Sequence, residues 1–238
     1  MIINQANLRS IYIGFKTIFN MALQEAKPLY TRVATEVPSS AKSEEYKWLG
    51  KIPRMREWIG DRVIQNLGAH DYTIKNKSWE VTIGVDREDI EDDTLGVYTP
   101  LIQSMSESAA AHPDEIVFSL LPEGFTSKCY DKQNFFSSSH KSGKTVQSNL
   151  TDAPLSHTSF GAARAAMMAL TDEHGKPLNI VPNLLVVPPQ LEEKAKEILV
   201  AELVTKTVPD GDGTKEVVVS NTHKGDAEIL VVPWLAAH

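Results

Sequence analysis

The residues best placed to do chemistry are Ser142-Gly143-Lys144-Thr145, which read like the end of a phosphate-binding loop, G-x-x-x-x-G-K-[ST]. In that pattern the first glycine falls at position 138, where this chain has Ser138. The loop should also follow a buried strand, yet Phe135 and Phe136 are the only apolar residues close upstream. Without the first glycine the backbone amides cannot readily wrap a phosphate. A nucleotide-binding enzyme using Gly143, Lys144 and Thr145 therefore stands only as an alternative reading.

Other candidate chemistry is weaker. Asp86, Glu88, Asp89, Glu91, Asp92 and Asp93 are all oxygen donors, but they lack the glycine and the alternation of a calcium loop. Acidic residues ahead of a helix are favoured by its dipole, which accounts for them without a metal. His70, His112, His140, His157, His174, His223 and His238 are scattered without zinc-ligand spacing, and Cys129 is the only cysteine. No G-x-S-x-G turn surrounds Ser137, Ser138 or Ser139 beside His140. Cys129 has no local activating pattern, and spacing gives Glu123 and Asp131 no acid or base role. The sequence thus assigns no catalytic, cofactor-binding or metal residue.

Charge narrows the function further. Twenty-four basic against 31 acidic residues leave a net charge of −7, which argues against a protein built to grip nucleic acid. Lys128, Lys132, Lys141 and Lys144 still make the loop 128–144 locally basic, so a DNA-contacting module using it is a second alternative. One cysteine excludes an internal disulfide and fits a reducing compartment. The first residues lack a basic segment ahead of a continuous apolar run, and Lys16 and Asn20 interrupt what apolar run there is. The expectation is a soluble protein, cytoplasmic when made.

The elements that must position these residues follow from periodicity. Leu8, Ile11, Tyr12, Phe15, Ile18, Phe19, Ala22 and Ala26 recur at helical spacing, with Asn7 as a cap and Pro28 as a stop. Residues 37–50 are polar without an apolar period and read as a linker or flexible arm. Pro53 opens a short helix anchored by Met55, Trp58 and Ile59. Tyr72 and Ile74, then Trp79, Val81, Ile83 and Val85, alternate as strands of a hairpin turning at Asn76-Lys77. Two strands alone are marginal in water, so this hairpin needs a partner. Residues 94–121 form a helix kinked or restarted at Pro100 and Pro113, slim enough at Ser104, Ser106, Ser108 and Ala109–Ala111 for close approach. Helices over 156–172 and 190–204, strands at 180–181, 184–187, 217–219 and 229–232, and a loop at 209–216 complete the pattern.

Several segments taken in order resemble the major head subunit of Mu-like phages and prophages, the gpT-like family. They are NLRSIYIGFKTIFNMAL, WEVTIGVDREDIEDDTLGVYTPLIQSMSESAAAHPDEIVFSLL, CYDKQNFFSSSHKSG with Ser148-Asn149 after it, and NLLVVPPQLEEKAKEIL. The resemblance implies an α+β Hong Kong 97-like phage capsid fold. The mapping is an N-terminal arm over 1–50, an extended hairpin loop over 51–92, a spine helix and peripheral domain over 93–128, and a mainly axial domain over 129–238. It also implies a C-terminal portion beyond PWLAAH that would complete the peripheral domain.

The function so implied is a major capsid protein that self-assembles through rings into the icosahedral shell around a phage genome, not an enzyme and without a cofactor. Its partners would be copies of itself, a scaffold or maturation protease, and portal proteins. Packaged DNA would be touched only non-specifically, and no membrane is involved. The residues expected to meet neighbours are Phe15 and Phe19 on the arm, Tyr72, Trp79 and Ile83 on the hairpin, and Lys141 and Lys144 on the basic loop. A non-viral encapsulating shell protein of the same fold is a further alternative. The virion capsid, assembled in the bacterial host cytoplasm, is the expected location.

Overall fold

The computed structural model describes residues 4–49, 69–91, 95–129, 131–142, 145–172, 175–210 and 213–236. The short helix expected at Pro53 lies outside them, as do Gly143 and Lys144. The chain divides into two compact units, Met1–Glu45 with Thr73–Phe118, and Tyr46–Tyr72 with Ser119–His238.

In the first unit, helix α1 (Gln5–Glu25) forms where the apolar period predicts it, but its cap is Asn4, not Asn7. The Asn4 side chain accepts the Asn7 N–H at 2.8 Å. The expected face of α1 is half-buried at Ile11, Phe15, Ile18, Phe19 and Ala22, and no residue of the helix is fully buried. Its neighbour is α3 (Tyr98–Glu123), whose first five turns belong to this unit. Ser106, fully buried on α3, donates its hydroxyl to the Phe19 carbonyl at 2.8 Å. The small residues of α3 therefore admit a neighbouring helix, as their size suggests.

The two prolines do not interrupt α3. Pro100 sits in the first turn, where its missing N–H leaves no intrahelical bond unmade. Pro113 deprives the Ala109 carbonyl of its donor, yet the helix runs through it. Ile102, Ser106, Asp114 and Phe118 are buried at spacings of four, eight and four residues, and that packing outweighs the lost bond. Asp114 also accepts the backbone N–H groups of Leu29 (3.0 Å) and Tyr30 (2.7 Å), fixing the turn after α1.

The hairpin falls earlier than the sequence suggests. Strand β1 (Ser43–Leu49) pairs with β2 (Ala69–Lys75), so 43–49 is a strand rather than a linker. Asn76 is not a turn residue. Its N–H bonds the Lys42 carbonyl at 3.1 Å, and its amide reaches Ser39 Oγ (2.6 Å) and the Ala41 carbonyl (2.7 Å), tying off the open end of the pair. Residues 79–85, expected as the second strand, carry no regular structure. The acidic run enters α2 (Arg87–Glu91), where Arg87 pairs with Glu91 at 2.8 Å and the Tyr98 hydroxyl donates to Asp89.

The second unit holds the better-filled core. Strands β3 (His140–Ser142) and β4 (Thr145–Gln147) form an antiparallel hairpin, followed by α4 (His157–Met168). A reciprocal Ser156–Ser159 capping box opens α4. Strand β5 (Leu184–Val187), helix α5 (Glu192–Leu199) and strand β8 (Glu228–Val231) then make a parallel β-α-β unit. Val187, Ala195, Ile198, Leu199, Leu230 and Val232 are buried there. Ile180-Val181 is not a strand, and α5 stops at Leu199 instead of reaching 204. The β-branched run after it becomes β6 (Leu203–Asp210), paired through Asp210↔Gly213 with β7 (Gly213–Ser220). The expected loop over 209–216 is thus mostly ladder.

Asn221 holds this unit together. Its amide donates to the carbonyls of Ile198 (2.9 Å) and Ala201 (2.8 Å) at the end of α5. Its oxygen accepts the His223 N–H at 2.9 Å and faces His157 Nε2 at 3.1 Å. Arg164 on α4 donates to the carbonyls of Pro182 (2.8 Å) and Asp226 (2.9 Å), so α4 is bound to both flanks of the parallel pair.

Candidate functional site

The phosphate-loop reading fails on geometry. Ser142 and Thr145 are cross-strand partners at the ends of β3 and β4. A P-loop runs from a strand into the N-terminus of a helix, whose amides meet the phosphates. Here Ser142 ends one short strand and Thr145 begins its antiparallel partner, and among the described residues the next helix starts at His157.

Beside that hairpin the fold assembles a cluster the sequence does not announce. Lys132, at φ 67°, turns the chain through the left-handed region. The Lys132 N–H reaches the Cys129 carbonyl at 3.0 Å, and the Cys129 N–H reaches Gln133 O at 2.8 Å. The turn points Cys129 and Asp131 toward His140 on β3. The Cys129 thiol donates to Asp131 Oδ1 at 2.9 Å, and His140 Nδ1 lies 2.6 Å from Asp131 Oδ2. His140 Nε2 faces the Phe135 carbonyl at 3.1 Å, and the Asn149 amide donates to the same carbonyl at 2.7 Å.

Partial burial works against the Asp131 carboxylate, but donors from Cys129, His140 and the Gln133 backbone prevail and hold its pKa at about 2. Burial likewise opposes the His140 imidazolium, and the bond to Asp131, the Phe135 carbonyl and the Asp131 charge together outweigh it, raising the pKa. Burial first and Asp131 second push the Cys129 thiol up. A nucleophilic cysteine needs the opposite: a depressed pKa, with a neutral imidazole between thiol and carboxylate. The carboxylate sits in the middle here, so the trio does not activate Cys129 as a nucleophile.

The residues expected to meet neighbours lie apart from this cluster. Phe15 is half-buried with its ring 6.2 Å from Tyr98, and Phe19 is half-buried where its carbonyl takes the Ser106 bond. The exposed apolar residues of α1 are instead Leu8, Tyr12, Ile13, Met21 and Leu23, with Tyr12 65% exposed. Trp79 is 61% exposed, although its ring meets His112 edge-on at 4.4 Å. Val81 is exposed and Ile83 half-buried on the same irregular segment. Tyr72 lies on β2 and Lys141, exposed, on β3. On β6 and β7, Leu203 and Val218 are also open, a face the apolar pattern alone did not single out. Among the described residues no helix is long and apolar enough to cross a membrane.

The family model for the Mu-like prophage major head subunit gpT matches residues 8–155 and 146–235. The major capsid protein of Escherichia phage Mu is 46% identical over 140 residues, covering 59% of this chain and 46% of that protein. The Mu-like prophage FluMu major head subunit of Haemophilus influenzae is 41% identical over 152 residues, covering 61% and 49%. The chain spans about half the length of these curated relatives. In the procapsid of bacteriophage JBD30, a chain of 31% identity superposes with a TM-score of 0.78, covering 98% of this chain and 100% of that one. The mixed helix-and-strand architecture is the phage capsid fold that the sequence resemblance implies.

Proposed function

The chain belongs to the Mu-like prophage major head subunit family, and from that premise we propose that it is a shell-forming subunit whose activity is association with copies of itself. The observation that carries this reading is the near-complete superposition on a procapsid chain. The open apolar rows on α1, on residues 79–81 and on β6–β7 support it, because exposed apolar clusters mark surfaces that a partner covers. Trp79, Ile83, Tyr72, Phe15, Phe19, Lys141 and Lys144 are the proposed contact residues, with Tyr12 and Met21 added on α1. Phe15 and Phe19 act by seating α1 on α3, which presents Tyr12 and Met21 outward.

The remaining roles follow the family. The subunit works in the virion capsid, is assembled in the host cytoplasm, and meets a scaffold or maturation protease and portal proteins during assembly. It touches packaged DNA through scattered lysines and catalyses no reaction. The proposed parts are the arm over 1–50, the extended loop over 51–92, the spine helix and peripheral domain over 93–128 and the mainly axial domain over 129–238.

Light scattering across protein concentration, followed by negative-stain imaging, tests the proposal. Rings or closed particles are the expected outcome, and a monomer at every concentration would overturn it.

A further inference from the structure

We propose that Cys129, Asp131 and His140 form a site for one thiophilic divalent cation of the Zn²⁺ class, a role independent of shell formation. The three side chains offer a sulfur, a carboxylate oxygen and an imidazole nitrogen that all lie within 4.8 Å of one another. Sulfur with nitrogen selects zinc-like ions over Mg²⁺ or Ca²⁺, which prefer all-oxygen sites.

The surroundings of the three donors match what such an ion needs. A metal-bound histidine uses one ring nitrogen and anchors the other on a carbonyl or carboxylate. His140 does this, with Nε2 on the Phe135 carbonyl and Nδ1 turned into the cluster. That carbonyl is itself fixed by the Asn149 amide. Asp131 is held from outside by the Gln133 N–H at 3.0 Å, so the carboxylate is oriented before any ion arrives. The backbone turn at Lys132 and strand β3 set the spacing, and all three side chains are half-buried, shielded from bulk water but reachable.

The rearrangement required is small. A tetrahedral ion at roughly 2.0 Å from nitrogen and oxygen and 2.3 Å from sulfur holds its ligands roughly 3.3 to 3.6 Å apart. The bonds now spanning 2.6 and 2.9 Å must each open by less than about 1 Å. Binding displaces the thiol proton and the Nδ1 proton to solvent, and the cation takes over their bonds to Asp131. The fourth position is left to water or to the second Asp131 oxygen.

The test is Zn²⁺ binding to the full chain by competition with a colorimetric chelator, paired with Co²⁺ absorption spectroscopy. One ion per chain is expected, with a near-ultraviolet thiolate-to-Co²⁺ band. Cys129→Ser should abolish that band, and Cys129→Ser and His140→Ala should each weaken Zn²⁺ binding at least tenfold. Far-ultraviolet circular dichroism will establish that the near-isosteric Cys129→Ser chain remains folded. Lack of stoichiometric binding by the wild-type chain would overturn the proposal. So would binding that both variants retain, since the ion would then sit on other histidines.

Discussion

Helix α5 and helix α1 are both amphipathic, and they end up in opposite circumstances. On α5, Ala195, Ile198 and Leu199 are buried against β5 and β8, so its apolar face is used up within the chain. On α1 the period is equally regular over more than twice the length, yet no side chain is fully buried. One side of α1 is half-covered by α3, and the other leaves Tyr12, Ile13 and Met21 open. A helix face is covered either by its own domain or by a partner, so the contrast separates residues that hold the fold from residues reserved for association. The same division sets Val187 and Leu230, buried on the β5–β8 pair, apart from residues 79–81, where Trp79 and Val81 stay exposed even with the Trp79 ring against His112.

The sharpest break of the comparison is a cavity under α5. Ile198→Ala, at a position 2% exposed, should cost about 2–5 kcal/mol and lower the thermal midpoint steeply. Next is Asp114→Ala, which strands the Leu29 and Tyr30 N–H groups and should cost on the order of 2–4 kcal/mol, read in urea unfolding curves. That loss would free the segment after α1 and show how far the first unit depends on a few polar ties.

Acid gives a smaller effect, read in the second unit at Asp131 and His140. In metal-free protein, Asp131 has a folded pKa of about 2 against an ordinary 3.8, so its contribution is complete above pH ~4 and fades as pH falls toward 2. It amounts to at most on the order of 2 kcal/mol. His140 acts in the opposite sense, with its raised pKa contributing below 6.5 and losing that contribution as pH rises through the folded value. Amide exchange at Gln133 and His140 should therefore be slowest between pH ~4 and 6.5 after correction for intrinsic rates. Asp131→Asn should flatten the profile. The smallest change in stability belongs to the open face, where Tyr12→Ser should move monomer stability by less than about 0.5 kcal/mol while reducing assembly. A large loss of stability there would erase the distinction between the two helices.

Residues in long periodic runs were legible in the sequence. The α1 face, the approach permitted by Ser106 and the strand at 184–187 follow from residue type and spacing, while the strand expected over 229–232 and the helix expected over 156–172 form at 228–231 and 157–168. What escaped depends on contacts far apart in the chain. Tyr46 and Trp48 mark a strand over 43–49 by only two aromatic residues, too few to stand out against the polar run before them. Asn76 looks like a turn residue until its amide is seen closing the β1–β2 pair. Pro113 would break a solvated helix and is overridden by the buried residues around it. The Cys129–Asp131–His140 trio was invisible because a lysine, not a glycine or asparagine, takes the left-handed position that brings the side chains together. Asn221 gave no signal either, since its partners Ile198, Ala201 and His157 lie in α5, just after it, and in α4, far away in the chain.

The most direct test is hydroxyl-radical footprinting of the free subunit against assembled particles, read residue by residue by mass spectrometry. Tyr12, Met21 and Trp79 should be strongly protected on assembly, while Ile198 and Leu199 stay equally unreactive in both states. Unchanged oxidation of Tyr12, Met21 and Trp79 in assembled particles would contradict the claim that these open faces build the shell.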